Sequence, residues 1–446
     1  MADRVVTRKQ PVLRKGISDF PFTAGMVPSS DGAEFARAYR HQAWSDFERI
    51  PMPTTQDEPW RRTDLRGLEA DTFRLADIRA SERLPPVPGE LLLPLTEQGQ
   101  GGRLVLLPGS VHAEMSPELR QTGTIFADLI TSEREHPDVL ERILGKVIRT
   151  DEGKFAALAG ALAGTGALVY VPPGVHVEQP LHSLLWGSGE RLAYFSHLLI
   201  YLDEGASLTY IHEAASPTHE GNQTLHAGLV EVIVEAGAAL KFVDLQSWGK
   251  HVWNFTHERI RVAEDGHLDW IIGTQGSKVT KNFATLDLIA PGATAQVSGF
   301  YFVVDHQHVD LDTQQNHLAP DTTSDLQFKG ALNGKSRAIW QGMIHVAPGA
   351  QNADGYQANR NLVLSEEARA DSIPGLEILA DDVRCTHGAT VGKIDPDHLF
   401  YILSRGVPKV DAILMIIDGF FDPIMERIPF EGMRERLKRE IIQKMV

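Results

Sequence analysis

One feature limits what this chain can become more than any other. From Gly166 onward a strand–turn–strand unit recurs with no helix between its strands. The segments ALVYVPPGVHV, HLLIYLDEGASLTYIHEA, GLVEVIVEAGAALKFVDL, ERIRVAEDGHLDWIIG and TLDLIAPGATAQVSGFYFV share one form. Each opens on aliphatic or β-branched residues, turns at an acidic residue or proline beside glycine, and resumes with alternating character. The turn glycines are Gly174, Gly205, Gly237, Gly266 and Gly292, which are 31, 32, 29 and 26 residues apart. The form returns at APGAQ near Gly349 and at SEEARAD near Ala368. A unit this short cannot bury its own apolar face, so neighbouring units must stack. The pattern predicts a mainly β array, either a β-helix solenoid or a large jelly roll or sandwich. A propeller fits less well, because no four-strand blade period is visible.

The flanks read differently and predict three zones: 1–160 helical and mixed, 161–394 the β array, 395–446 helical. Residues 1 to about 30 are turn-rich. The stretch AEFARAYRHQAWSDFERI has helical period, with Phe35, Tyr39, Ala43, Phe47 and Ile50 near one face and Asp31 as a candidate N-cap. LPPVPGELLLPL reads as an extended linker, and residues 114–163 read as helix, most clearly PDVLERILGKVI. GALAGTGAL, from Gly160 to Leu168, marks the junction with the array. Beyond Asp395 and Pro396, an N-cap and first-turn pair, three apolar helical segments follow. They must cap the array or present a face to a partner.

Charge and cysteine content narrow the functional classes. Lys and Arg total 43 against 59 Asp and Glu, a net charge of −16, which disfavours nucleic acid and anionic membrane as bulk partners. The single cysteine, Cys385, excludes an internal disulfide and a self-sufficient thiolate metal site. The basic start, MADRVVTRKQPVLRKG, has no apolar stretch behind it and does not read as a secretory signal. No apolar run approaches the ~18 residues that span a bilayer. A reducing cytoplasm is the expected compartment.

Several motifs carry possible chemistry. Gly334-Lys335-Ser336 resembles the end of a phosphate loop, but the glycine required five residues earlier is Lys329, and a strand-like RAIWQGMIHV follows. A hairpin turn is the better reading, and no nucleotide site is expected. His306 and His308 would share a face of one strand, with Asp312, His317 and Asp321 downstream; a polar structural rung is favoured over a metal site. Cys385 and His387 would also share a face, and together supply half a zinc or iron–sulfur site. From chemistry alone, a packed thiol beside a structural histidine ranks first. Asp244, Asp269 and Glu258 lie near aromatic residues, as carboxylates do in β-helix enzymes that cleave acidic polysaccharides. A β-helix carbohydrate-active enzyme is therefore the alternative reading.

The long segment RCTHGATVGKIDPDHLFYILSRGV, preceded by SIPGLEILADDV, resembles the C-terminal signature of the SufB/SufD family of iron–sulfur cluster assembly proteins. The resemblance covers at least Asp305 to Phe421, and EPWRRTDLRGL, Glu58 to Leu68, is similar to the N-terminal segment of the SufD branch. SufB-type chains carry Cys-x-His-Glu-Ala at the signature. This chain has Cys385-Thr386-His387-Gly388-Ala389, which resembles SufD. The resemblance implies a right-handed parallel β-helix between helical regions, acting as a non-catalytic scaffold. It implies partnership with a SufB-like subunit, or a second copy of the chain, and with a SufC-like ABC ATPase docked on the C-terminal helices. Phe400, Arg405, Phe420 and Phe421 are the expected partner-binding residues. His387 and Cys385 are the expected ligands of a transient iron–sulfur cluster shared with the partner, and no nucleotide is bound by this chain.

Overall fold

A computed structural model of the chain describes residues 19–29, 33–76, 86–93, 95, 99–187 and 189–445. The expected turn-rich start and the Asp31 cap lie mostly outside these residues. The array is a parallel β-solenoid of about eight coils, each giving one strand to each of two ten-stranded sheets. The first sheet takes its solenoid strands from Thr165–Val171 to Arg369–Ile378, and the second from Leu181–Trp186 to Val383–Lys393. Each strand therefore pairs with the equivalent strand one coil away, never with its sequence neighbour across the turn. Gly334 accordingly sits at a corner between sheets (φ 67°), not in a hairpin.

The corners repeat in backbone geometry. Gly174, Gly205, Gly237, Asp265, Gly292, Asp321 and Asn352 all have positive φ, between 51° and 73°. Corner amides bond to the coil above: Gly174 N–H to Glu204 O, Gly205 to Ala236, Gly237 to Glu264, each at 2.8 Å. The left-handed position in the fourth of these corners is Asp265, so Gly266, the glycine expected there, is one residue past it. Asp and Asn tolerate this conformation better than other side chains, so three of these corners use them at the left-handed position.

Period-two alternation divides each strand. Val252, Ile260 and Val262 face the interior with Leu240, Phe242 and Trp270, while Trp253 and Phe255 face outward. The outward face of the first sheet is covered by the N-terminal region. Helix Lys154–Leu162, buried along its whole length, lies on that sheet beneath helix Glu34–Arg49. Phe155 stacks on Phe255 at 3.9 Å, and Trp60 of the EPWRRTDL segment packs beside both. Residues 114–163 are not all helix. Ser110–Met115 and Ile125–Asp128 are strands that pair antiparallel at the start of the two sheets and close that end of the solenoid. Gly89–Leu92, within the expected linker, forms a short 3-10 turn.

The C-terminal helices do not cap the far end. Lys409–Met425 and Glu431–Met445 lie along the outward face of the second sheet, where Ile417, Phe421, Ile424 and Leu437 pack on Ile211, Val243, Ile271 and Phe300. Among the described residues, no helix is long and apolar enough to cross a membrane.

Candidate functional site

Because the helices cover faces rather than the end, the last coil is left open. Among the described residues, Arg369–Ile378 pairs only with Arg337–Val346, and Val383–Lys393 only with Ala353–Val363. Leu379 and Val391 are about half exposed there, at 52% and 50%. An open edge of two long strands is a template for pairing with another chain.

Parallel register decides what the open end displays. Gly355 lies beside Cys385, Gln357 beside His387 and Asn359 beside Ala389. The buried residues of strand Ala353–Val363 at alternate positions, Gln357, Asn359 and Asn361, form a ladder of amides one coil below the opening. Gln357 Nε2 donates to Gly375 O at 2.8 Å, tying the two sheets together. Asn361 Nδ2 donates to Asn359 Oδ1 at 2.5 Å and to Ser372 Oγ at 3.1 Å, and Tyr301 O–H donates to Asn361 Oδ1 at 2.5 Å. The ladder ties the rung beneath Cys385 and His387 to the facing sheet, although the buried Gln357 Oε1 has no hydrogen-bond partner.

Cys385 is partly buried and is not in a disulfide. Burial pushes its pKa up, so the isolated chain holds it as thiol at neutral pH. Gly355 lets two rungs converge here: a Cβ at this position would lie 3.3 Å from Cys385 Sγ and 3.2 Å from His317 Nε2. His317 is fixed by Thr322 Oγ1 at Nδ1 and Ser324 Oγ at Nε2, both at 2.8 Å, and burial lowers its pKa to about 4, keeping it neutral. His387 stands exposed at the rim. No group of three or more His, Cys, Asp or Glu among the described residues is placed to hold a metal. Cys385 and His387 can therefore provide only part of a ligand set. The amide ladder escaped the sequence reading, although its signal, polar residues at every second position of GYQANRN, is visible.

The other expected residues divide. Phe400 is 71% exposed on helix Pro396–Leu403, none of whose residues is buried. Asp395 caps that helix through Asp397 N–H at 2.8 Å, as expected. Arg405 lies over the Tyr401 ring at 4.7 Å and donates to its hydroxyl. Phe420 is partly buried, with Lys329 Nζ donating to its carbonyl at 2.6 Å. Phe421 is the correction: it is 1% exposed and packs edge-on against Phe300, so it belongs to the core rather than to a partner face. The helical period placed both phenylalanines on apolar text but could not show that the sheet lies under Phe421.

His306 sits in a corner turn and His308 begins the next strand, so the two do not share a strand face. His308 bonds to Thr63 Oγ1 at 3.0 Å beside an ion cluster in which Lys281 Nζ meets Asp310 at 2.9 Å and Asp312 at 2.7 Å. Asp321 accepts from Asn352. Asp269 is held by Arg427 and Lys241, whereas Asp244 and Glu258 line the solenoid interior. These three carboxylates do not form an exposed sugar-binding cleft.

A family model described as SUF system FeS cluster assembly, SufBD core domain, matches residues 185–420, and one described as SufBD protein N-terminal region matches residues 26–182. The iron–sulfur cluster assembly protein SufB of Bacillus subtilis is 32% identical over 405 residues, covering 88% of this chain and 86% of that protein. An iron–sulfur cluster assembly SufBD family protein of Staphylococcus saprophyticus is 30% identical over 410 residues, covering 89% and 87%. One of Staphylococcus epidermidis is 31% identical over 321 residues, covering 72% and 69%.

Proposed function

The chain belongs to the SufBD family of iron–sulfur cluster assembly proteins, and from that premise we propose that it is a non-catalytic scaffold subunit of the SufD type. Its partners in this reading are a SufB-like subunit at the open end of the solenoid and a SufC-like ATPase on the C-terminal helices. The nascent cluster is cargo rather than a resident cofactor. The observation that carries the reading is the last coil: two strand edges, unpaired among the described residues, that present Cys385 and His387, an incomplete ligand set, on a floor of buried amides. A ligand set completed by a second chain is the arrangement such a rim suits. The SufD assignment rests on Gly388, where SufB-type chains carry glutamate, and on the lone cysteine. Exposed Phe400 and Tyr401, and an apolar groove of about 240 Å³ between the two following helices, support the ATPase side. The location proposed is cytoplasmic.

Co-expression with SufB-like and SufC-like chains tests this directly. Recovery of a stable complex is expected, and failure to co-purify with either would remove the reading. Within the complex, His387→Ala is expected to lower iron and sulfide content without changing thermal stability. Cys385→Ser is expected to have the milder effect, because its thiol is partly packed and protonated.

A further inference from the structure

The corners that lead from the second sheet back to the first differ in length, and the difference opens a cleft. The corner at 216–223 is longer than those at 248–251, 275–278 and 304–307. Gly249 lets it lie close over the next corner, since a Cβ there would strike Pro217 O. The extra length forms part of the wall of a cleft of about 340 Å³, completed by residues of the three following corners and by Glu69 of the N-terminal region. Small-molecule sites span ~300–1,000 Å³.

Buried amides hold this cleft in shape. Gln223 Nε2 donates to Gly67 O at 2.7 Å while its Oε1 accepts from the Glu69 N–H at 3.0 Å, which fixes the backbone at Glu69. Gln307 Nε2 donates to Ser277 O at 2.7 Å while its Oε1 accepts from the Val304 N–H at 3.0 Å, which joins two of the other corners. His251, also in the lining, is 6% exposed. The His219 N–H donates to its Nδ1 at 3.2 Å, so the neutral ring carries its proton on Nε2. That Nε2 is buried and has no hydrogen-bond partner. Burial, with His219 beside it, lowers the His251 pKa to about 4, so the ring is an uncharged donor at neutral pH. A buried donor without an acceptor is unfavourable until a ligand supplies one.

Charge in the cleft is split. Lys250 Nζ is taken up by Asp305 at 2.5 Å. Lys278 and Glu69 are exposed, and among the described residues neither charged group has an ion-pair partner, nor do the two pair with each other. A simple anion entering here meets Glu69, and a simple cation meets Lys278. A molecule that carries both charges can set each against its opposite. The histidines of the lining do not make a metal site, since no His, Cys, Asp and Glu among the described residues are grouped to hold an ion.

We propose that this cleft binds a free α-amino acid in its zwitterionic form. Its carboxylate accepts from Lys278 Nζ and from His251 Nε2, and its ammonium donates to the Glu69 carboxylate. Each contact to Lys278 and Glu69 is a charge-assisted hydrogen bond, the stronger kind.

Equilibrium dialysis of the full chain against a radiolabelled mixture of the standard amino acids, at neutral pH, tests this. Retention of label is expected, displaced by unlabelled amino acid but not by acetate or methylamine, each of which carries half of the head group. Glu69→Gln and Lys278→Met are each expected to weaken retention about tenfold or more, with the thermal midpoint unchanged because both side chains are exposed. Lys278→Arg, which keeps the charge, is expected to retain part of the binding. No retention by the unaltered chain, displacement by acetate as effective as by amino acid, or retention unchanged in both charge-removing variants would overturn the proposal.

Discussion

Gly355 shows how one residue can set a site that it does not take part in. Its missing Cβ leaves room for Cys385 Sγ from one coil and His317 Nε2 from another. Gly355→Ala would place a methyl group within 3.3 Å of both and of Ile344, in a rung already tied by hydrogen bonds. We expect it to lower stability by ~1–3 kcal/mol in urea unfolding and to slow thiol labelling of Cys385. The interior acids make a second residue-scale prediction. In the folded chain Asp244 holds its proton up to about pH 7, whereas an unfolded aspartate releases it near ~4. Between these values the folded state binds more protons, so this group's contribution to stability falls as pH rises. Buried His308 and His317, each lowered to about 4, act in the opposite sense, because the unfolded chain takes up their protons below ~6.5. The acid contribution must therefore be read by difference. Asp244→Asn is expected to gain stability relative to the unaltered chain as pH rises from ~5 to ~8. A constant difference would exclude titration of the pair.

At the scale of elements, the C-terminal helices are attached to the solenoid by specific buried charges as well as by apolar packing. Arg436 of helix Glu431–Met445 reaches Glu213 on the second sheet, and His182 Nε2 lies 3.0 Å from the same carboxylate. Burial would raise the Glu213 pKa, but Arg436 and His182 outweigh it and hold the group below the usual carboxylate range. Removing Arg436 leaves a buried carboxylate with one neighbour. Arg436→Ala should destabilise the chain by ~3–5 kcal/mol in chemical denaturation. Adding Glu213→Gln should recover part of that loss. The two ends of the helical region should also respond differently. Phe421→Asp puts a charge into the core and is expected to lower the thermal midpoint sharply. Phe400→Asp on the solvent-facing helix should leave stability within ~0.5 kcal/mol and reduce ATPase binding in a pull-down. Helical period and the Asp395 cap made these helices legible. Which aromatic faces the sheet was not, because that depends on the position of strands distant in sequence.

For the whole molecule, the two ends of the solenoid are unequal. Antiparallel strands close the first, while the last coil exposes both sheet edges and the apolar residues Leu379 and Val391. Such an edge suits another solenoid of the same width, either a SufB-like subunit or a second copy. Leu379→Lys with Val391→Lys should keep the thermal midpoint nearly unchanged, since both side chains are about half exposed, while light scattering shows loss of the paired species. Pairing that persists in this double variant would place the interface elsewhere.

By itself the sequence determined that the middle of the chain is a stacked β array, because a short strand–turn–strand unit cannot bury its own apolar face. It also marked the helical ends, and its long C-terminal signature pointed to the family that the comparisons then showed. Only the tertiary structure decided which residues become neighbours across coils. Register brings Gly355, Gln357 and Asn359 beside Cys385, His387 and Ala389. It separates His306 from His308, buries Phe421, and turns Asp244 and Glu258 toward one another inside the solenoid. The physical reason is that alternation along a strand is a local property, whereas stacking between coils joins residues about thirty positions apart through corners of variable length.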